Sequence, residues 1–346
     1  MIIFVLRRLA WAVVLLLAIT SVTYVIFFVI PTEDSRPSIG RAGSEVDLRT
    51  VVEIHGPIYQ EYGQYLWRIA TQGSLGTSYT SRGREVNDML IAAAPITASL
   101  VIGGLLFSLM LAIPVGLLSA LRPRSLLDRV GTVFVLIGIS AHPIWISLLL
   151  AYFLGYRLEW FPTGGYCEVF TPSTFCGGPA QWAYHLVLPW IAFGLMFAAL
   201  YMRMIRAAVL ESLNEDYVRT ARAKGAPEWL VVRSHVLRNA LMPLVTMLGM
   251  DLGIALGGAL FVETAFGLPG LGGLAAISLR TRDLPVLLGI VTYTTAAIVV
   301  INLVVDLLYG FLDPRARLYQ RDFEGTVEER PAQAPISGTG GLEPAR

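Results

Sequence analysis

Apolar residues in this chain are grouped in long stretches that lack Asp, Glu, Lys and Arg. A helix that crosses a bilayer core of about 30 Å needs ~20 apolar residues. Five charge-free stretches reach that length and a sixth is interrupted only by Asp251; together they cover residues 9–32, 89–121, 130–156, 169–202, 239–262 and 284–305. The pattern predicts an all-α integral membrane protein with six transmembrane helices.

The first apolar stretch is expected to remain in the mature protein. A removable signal peptide has a short apolar core followed by a cleavage site of small residues. Residues 9–32 have a longer core, and no such site follows it. We therefore assign residues 1–30 to the first transmembrane helix.

Basic residues indicate the orientation, because cytoplasmic loops of membrane proteins carry an excess of Lys and Arg. A cytoplasmic N-terminus places 17 of the 26 basic residues inside the cell. The short internal turn 122–129 then contains three of them, and the external loop 157–186 contains one. We predict an N-in, C-in topology with an extracytoplasmic segment at 31–94, a five-helix core at 95–312 and a cytoplasmic tail at 313–346, whose Pro- and Gly-rich end we expect to be disordered.

Composition agrees with a membrane protein and excludes other classes. Hydrophobic residues make up 55% of the 346 residues and charged residues 15%, against roughly 45–50% and about 25% in soluble domains. These values exclude a soluble globular enzyme and a disordered chain. The net charge of +1 gives the chain no overall field that would attract nucleic acid.

Two cysteines, Cys167 and Cys176, lie in the external loop 157–186. Disulfides form and persist in oxidising compartments, so we predict that these two residues are bridged; two free thiols are the alternative. No third type of metal ligand clusters with them in the sequence, and we expect no metal site.

The internal segment 203–240 contains seven basic residues, including Lys224, the only Lys of the chain. Good helix formers lead to Gly225, which suits a helix C-cap, and Pro227 suits the first turn of a following helix. The following helix is amphipathic through Trp229, Leu230, Val232 and Val236. We predict two short helices with a sharp bend that can transmit force from a soluble partner. The alternative is a basic loop that lies on anionic lipid.

The internal segment resembles the coupling loop of ABC-importer permeases, most closely in the dipeptide, oligopeptide and nickel branch. The matching residues are Asp216-Tyr-Val-Arg-Thr-Ala-Arg-Ala-Lys-Gly225 and Leu237-Arg-Asn-Ala-Leu-Met-Pro243. The general family motif has Glu-Ala-Ala, three residues and then Gly, and further on Ile-x-Leu-Pro. Only Ala221, Gly225 and Leu237 keep that pattern here, and the peptide branch uses the form seen in this chain.

Other segments carry the same resemblance, which covers about residues 1–318. They are the first external segment at 59–67 and 73–78, the last external hairpin at 262–272 and the final helix at 302–315. Two stretches depart from the family. Pro31-Thr-Glu-Asp34 stands where the family has Gly-Asp-Pro, and the cysteine-bearing part of loop 157–186 resembles an insertion.

The resemblance implies the type I ABC-importer permease fold and a subunit that forms the pathway for di- or oligopeptides. Nickel chelates and other small solutes are the alternative substrates. It also implies a related second permease, two cytoplasmic ATPases, an extracytoplasmic solute-binding protein and a place in the bacterial inner membrane. The residues that the resemblance assigns to the ATPase contact are Arg219, Thr220, Ala221, Arg222, Lys224, Gly225 and Ala226.

ATP chemistry is expected on the partners and not on this chain. A phosphate-binding P-loop has the form G-x-x-x-x-G-K-[ST], and the residues around Lys224 do not match it. We therefore predict that the chain is not an enzyme and binds no cofactor, with ATP and Mg²⁺ held by the ATPases. The competing classes are a self-contained channel or secondary carrier and a membrane-embedded hydrolase. For the hydrolase, the spacing of Ser140 and His142 does not establish a nucleophile–base pair.

The fifth apolar stretch contains a glycine repeat and one acidic residue. Gly249, Gly253 and Gly257 recur every fourth position and form a narrow stripe that lets another helix approach closely. Asp251 lies about 200° around the helix from Gly249. A carboxylate at mid-membrane usually faces a polar cavity or a partner. Asp251 is therefore a candidate for the translocation pathway, or it pairs with a neighbouring helix for structure alone.

Overall fold

The computed structural model describes residues 2–26, 58–81, 83–169 and 176–312. Within these residues the regular elements are helices, numbered here in chain order: α1 (Ile2–Tyr24), α2 (Ile58–Gln72), α3 (Val86–Leu121), α4 (Leu126–Ser140), α5 (Pro143–Leu150, continued as a π-helix by Ala151–Arg157), α6 (Pro179–Leu213), α7 (Asp216–Ala223), α8 (Glu228–Val231, continued by the π-helical Val232–Val236 and by Leu237–Ala240), α9 (Met242–Phe266), α10 (Leu271–Thr281) and α11 (Leu284–Leu312).

The chain divides into two units, Met1–Asn302 and Leu303–Arg346. Of the second unit, the described residues 303–312 form the end of α11. The predicted cytoplasmic tail at 313–346 and residues 31–57 of the predicted external segment lie outside the described residues.

Membrane-spanning helices account for most of the predicted apolar stretches. Four helices are long and apolar enough to cross a bilayer: α3, α6, the continuous helix Glu228–Phe266 formed by α8 and α9, and Leu284–Val305 of α11. A fifth candidate is the pair α4 and α5, which is bent by 109°. The sixth predicted span, residues 9–32, begins in α1 and continues into residues outside those described. The all-α membrane architecture is thus confirmed.

A break between α4 and α5 divides the span predicted for residues 130–156. His142 has extended backbone angles, with φ −70° and ψ 138°, and Pro143 is the first residue of α5. A residue that precedes proline avoids the helical region because the proline ring collides with its backbone. The proline therefore ends one helix and starts the next in a new direction.

Helices α3 and α6 approach each other closely at two glycines, Gly104 and Gly194. A Cβ added at Gly194 would lie 2.6 Å from the carbonyl oxygen of Gly104, and one added at Gly104 would overlap the ring of Phe193. Small residues at such positions let two helix backbones approach closely, which favours association in a lipid environment. The surrounding core is apolar, with Leu100 and Ile205 fully buried.

The last external hairpin is fixed by a buried carboxylate near the end of α9. Glu263 is 0% exposed. Its Oε1 accepts a hydrogen bond from Thr97 Oγ1 at 2.6 Å, and its Oε2 accepts from the backbone N–H groups of Gly272 at 2.7 Å and Gly273 at 3.0 Å. Thr97 Oγ1 in turn accepts from the N–H of Leu271 at 2.8 Å. One carboxylate thus ties α9, the start of α10 and α3 together.

A second carboxylate holds the other end of α10. Asp283 is buried, and it accepts hydrogen bonds from Ser78 Oγ at 2.5 Å and from the backbone N–H of Thr80 at 3.2 Å. Its second oxygen accepts from the N–H of Tyr79 at 3.2 Å. The segment that leads into α3 is therefore anchored to the turn between α10 and α11.

Replacement of Glu263 by leucine is expected to destabilise the protein by at least about 2 kcal/mol. The change leaves the hydroxyl of Thr97 and two backbone N–H groups buried without an acceptor, and each such group costs ~1–3 kcal/mol. Unfolding of the purified protein in detergent measures the effect. Thr264→Ala is the matched control on an exposed position of the same helix, with a change within about 0.5 kcal/mol. Wild-type stability of Glu263→Leu would contradict the assignment.

Candidate coupling site

The predicted bend on the internal segment is present and has a defined hydrogen-bond pattern. Gly225 has a left-handed backbone with φ +78°. Its N–H donates to the carbonyl of Arg222 at 2.9 Å, and the N–H of Ala226 donates to the carbonyl of Ala221 at 3.2 Å. These two bonds are those of a Schellman motif, in which glycine ends a helix. The predicted C-cap at Gly225 is confirmed.

Side chains on both sides of the bend hold α7 and α8 together. Arg222 Nη2 and Glu228 Oε1 form an ion pair at 2.6 Å, and Arg222 Nε donates to the same carboxylate at 3.2 Å. Asn239 Nδ2 donates to the hydroxyl of Tyr217 at 2.8 Å. Because these groups are exposed, each contact adds little stability, and their effect is to orient the two helices.

The buried face of this projection differs from the predicted one. Val218 of α7 and Val231, Val236 and Ala240 of α8 are buried. Trp229 and Leu230, which the pattern assigned to the amphipathic face, are exposed. The reason is the π-helical turn Val232–Val236, whose wider i to i+5 bonding aligns Val231 with Val236. A residue pattern based on 3.6 residues per turn misses this change of register.

Most of the residues assigned to the ATPase contact share one exposed surface. Arg219, Thr220, Arg222, Lys224 and Gly225 are exposed, and Ala221 and Ala226 are half-buried. We call this set, residues 219–222 and 224–226, the coupling surface. Trp229 borders it in the chain and is 64% exposed. The sequence pattern placed this tryptophan on the apolar side of an amphipathic helix and did not include it in the ATPase contact.

An ion pair between half-buried Arg206 and buried Asp128 fixes the helix that leads to the coupling surface. Arg206 of α6 contacts Asp128 of α4 through Nε at 2.7 Å and Nη2 at 3.1 Å. Ser119 of α3 donates to the same carboxylate at 2.5 Å, and the backbone N–H of Arg124 donates to it at 2.9 Å. Asp128 is buried. Three helices thus meet at one carboxylate two turns before α6 ends.

Asp251 lies inside the subunit, against α6. Its residue exposure is 8%, and it is close enough to Tyr201 to interact electrostatically with that fully buried side chain. Among the described residues, neither the Tyr201 hydroxyl nor Asp251 Oδ2 has a hydrogen-bond partner of standard geometry. This burial favours pairing with a neighbouring helix, and a role in the translocation pathway stays a prediction.

The glycine stripe on α9 is only partly used within this chain. Gly249 is buried, and a Cβ added at Gly253 would lie 3.2 Å from Ile298 of α11. A Cβ at Gly257 would have no described atom within 4 Å. Close packing at Gly257 therefore stays a prediction for a contact with another chain.

Cys167 and Cys176 form a disulfide, as predicted. The sequence reasoning missed His185, whose Nδ1 lies 3.2 Å from the sulfur of Cys167. The two sulfurs and the imidazole are near enough to one another to hold a metal ion. Metal binding by cysteine requires the thiolate, so the bridged pair does not supply these ligands.

Comparisons with known proteins cover most of the chain. A family model described as the binding-protein-dependent transport system inner membrane component matches residues 112–318. The model for the N-terminal part of such membrane components matches residues 1–101.

Curated relatives match along almost their whole length. The oligopeptide transport system permease protein AppB of Bacillus subtilis (strain 168) is 35% identical over 314 residues, which are 90% of this chain and 98% of AppB. The dipeptide transport system permease protein DppB of Escherichia coli (strain K12) is 32% identical over 335 residues, or 91% of this chain and 98% of DppB. A solved structure of the MetNI methionine ABC transporter aligns with a TM-score of 0.47 and 21% identity, covering 65% of this chain and 96% of that chain.

Replacement of Asp251 by asparagine distinguishes its two roles. If the carboxylate serves the translocation pathway, uptake falls while the assembly with the ATPase subunits persists. If it only pairs with α6, uptake is retained, and Asp251→Asn and the matched variant Tyr201→Phe shift thermal stability without adding to one another. Normal uptake by Asp251→Asn refutes the pathway role.

Proposed function

Because the chain belongs to the family of binding-protein-dependent transport system inner membrane components, we propose that it imports di- or oligopeptides as one permease subunit of an ATP-driven transporter. The relatives AppB and DppB carry oligopeptide and dipeptide permease names, and they support peptides over nickel chelates. The substrate is delivered by an extracytoplasmic binding protein, and a related second permease completes the pathway.

The coupling surface is the observation that carries this proposal. It presents an exposed, basic end of a short helix whose apolar side, at Val218, is buried against the protein. The Schellman motif at Gly225 and the ion pair between Arg222 and Glu228 keep its shape. A projection with a fixed shape can be bound by a soluble subunit. A basic loop that only lies on anionic lipid would not need these shape-fixing contacts.

Force applied to the coupling surface has a direct route into the membrane. Helix α7 follows α6 after only Asn214 and Glu215. Arg206 of α6 binds Asp128 of α4, and Asp128 also accepts from Ser119 of α3. A displacement of α7 is therefore passed to three spanning segments. Hydrolysis of ATP takes place on two separate ATPase subunits that hold the nucleotide and Mg²⁺.

Reconstitution of the complete transporter tests the function. The chain is purified with a tag and examined for a second permease and two ATPase subunits, and the complex is placed in liposomes with its binding protein. We expect ATP-dependent accumulation of labelled dipeptides. A stand-alone carrier or channel would purify without ATPases and would transport without ATP. Accumulation of nickel chelates in place of peptides would overturn the proposed substrate.

Replacement of Gly225 by valine is expected to uncouple ATP hydrolysis from uptake. A β-branched residue does not tolerate the left-handed backbone at this position, and an L-residue there costs about 1–2 kcal/mol. The strain distorts the coupling surface, so the number of peptides imported per ATP hydrolysed falls. Both rates are measured on the same proteoliposomes.

Gly225→Asn is the matched control for this change. Asparagine adopts the left-handed conformation more readily than valine, and this variant should keep more of the wild-type ratio. A wild-type ratio in Gly225→Val would count against a coupling role for the bend.

A further inference from the structure

A cavity of about 760 Å³ lies on the predicted extracytoplasmic side of the described residues. Its walls come from the first turns of α3, the disulfide-closed loop, the start of α6 and α10; among the lining residues are Ala92, Ile96, Tyr166, Trp182, Leu274 and Ile277. Ligand pockets measure ~300–1,000 Å³, so the cavity has the size of a binding site.

We propose that this cavity receives an apolar side chain of the transported peptide and so gives the permease a selectivity of its own. The inference rests on the proposed function, and it adds a contact between substrate and permease to selection by the binding protein. Its support comes from the rigidity of the walls, the chemistry of the lining and the place of the cavity at the outer end of α3.

The loop wall is fixed at several points. The disulfide between Cys167 and Cys176 closes the loop next to the lining residues Tyr166 and Glu168. The N–H of Gly178 donates to the carbonyl of Glu168 at 3.1 Å, and the N–H of Gly165 donates to the carbonyl of Phe266 at 3.1 Å. The described residues of this wall, 165–169, are thus attached to Gly178 and to the end of α9.

The wall from α6 is also braced. Trp182 packs edge-on against Trp190, with the ring centroids 5.3 Å apart. Trp190 Nε1 donates to the carbonyl of Ser99 on α3 at 3.0 Å. Because these walls are held without a ligand, binding does not have to order them, and a preformed site loses less free energy on association.

The lining combines apolar surface with charged residues, as a peptide site requires. Most of it is apolar, and two charged residues of opposite sign, Arg84 and Glu168, belong to it. At neutral pH a free peptide carries a carboxylate and an ammonium group, and the arginine fork is suited to bind a carboxylate. Arg84 is therefore assigned to the peptide carboxylate, with the neighbouring side chain in the cavity.

The test compares labelled dipeptides that differ only in one side chain, Ala-Ala, Ala-Leu and Ala-Phe. Uptake is measured in proteoliposomes of the complete transporter with the wild-type binding protein, so that a change in selectivity comes from the permease. Ala92→Trp fills part of the cavity from an exposed position of α3. We expect the ratio of Ala-Phe to Ala-Ala uptake to fall about tenfold, the size of effect that a changed apolar pocket produces.

Three further variants complete the comparison. Ala98→Trp introduces the same bulk on an exposed position of α3 that does not line the cavity, and its selectivity should equal that of the wild type. Arg84→Gln should raise the half-saturating concentration of all three dipeptides, and Arg84→Lys should restore part of it. These results would show that Arg84 binds the carboxylate of the peptide and that the apolar part of the cavity binds its side chain.

Each other outcome overturns the proposal in an identifiable way. If Ala92→Trp keeps wild-type selectivity, the side chain is not accommodated here. If it lowers uptake of all peptides equally and abolishes co-purification of the second permease, the cavity belongs to the subunit interface. If the wild-type complex assembles with ATPases but imports none of the peptides, the proposed substrate fails first, and the assigned occupant fails with it.

Discussion

The close approach of α3 and α6 is the constraint on which the other contacts of the subunit depend. Lipid tails are as apolar as leucine, so helices in a bilayer associate through close packing rather than by exclusion from water. The carbonyl of Gly104 leaves no space for a side chain at Gly194, and the ring of Phe193 leaves none at Gly104. This contact sets the position of α6. It thereby also places Arg206 beside Asp128 and Trp190 beside Ser99.

The position of α6 explains how the coupling surface can act as a lever. Arg206, whose side chain is 35% exposed, binds the carboxylate of Asp128 through two hydrogen bonds, and separating them would leave that carboxylate without its charged partner. The pair therefore resists separation of α4 from α6 when α7 is moved. At the C-terminal end of α7, the Schellman motif at Gly225 resists unwinding of this helix. Movement of the coupling surface should consequently displace whole helices and not melt their ends.

Residue patterns within short stretches of sequence predicted much of this structure. They could not predict contacts between residues that are far apart in the chain. The length of the charge-free stretches predicted the membrane spans. The role of Gly225 as a helix end could be predicted from this glycine and the residues next to it. Two acidic residues of α9 have different surroundings that the sequence pattern did not distinguish. Asp251, conspicuous in mid-span, is buried beside Tyr201, whereas Glu263, at the span's edge, accepts hydrogen bonds from Thr97, Gly272 and Gly273. Thr97 is 166 positions away in the chain, and no local periodicity contains that information.

The two carboxylates at the outer side restrict how the pathway can open. Glu263, at the end of α9, accepts hydrogen bonds from the start of α10 and from α3. Asp283, just after α10, accepts hydrogen bonds from residues 78 and 80, which precede α3. Bending α10 away by itself would leave buried donors or a buried carboxylate unpaired, at ~1–3 kcal/mol for each group. These bonds all survive only if the end of α9 with Glu263, α10 with Asp283, the start of α3 and residues 78–80 move together. Opening on the outer side should therefore move this group as one body.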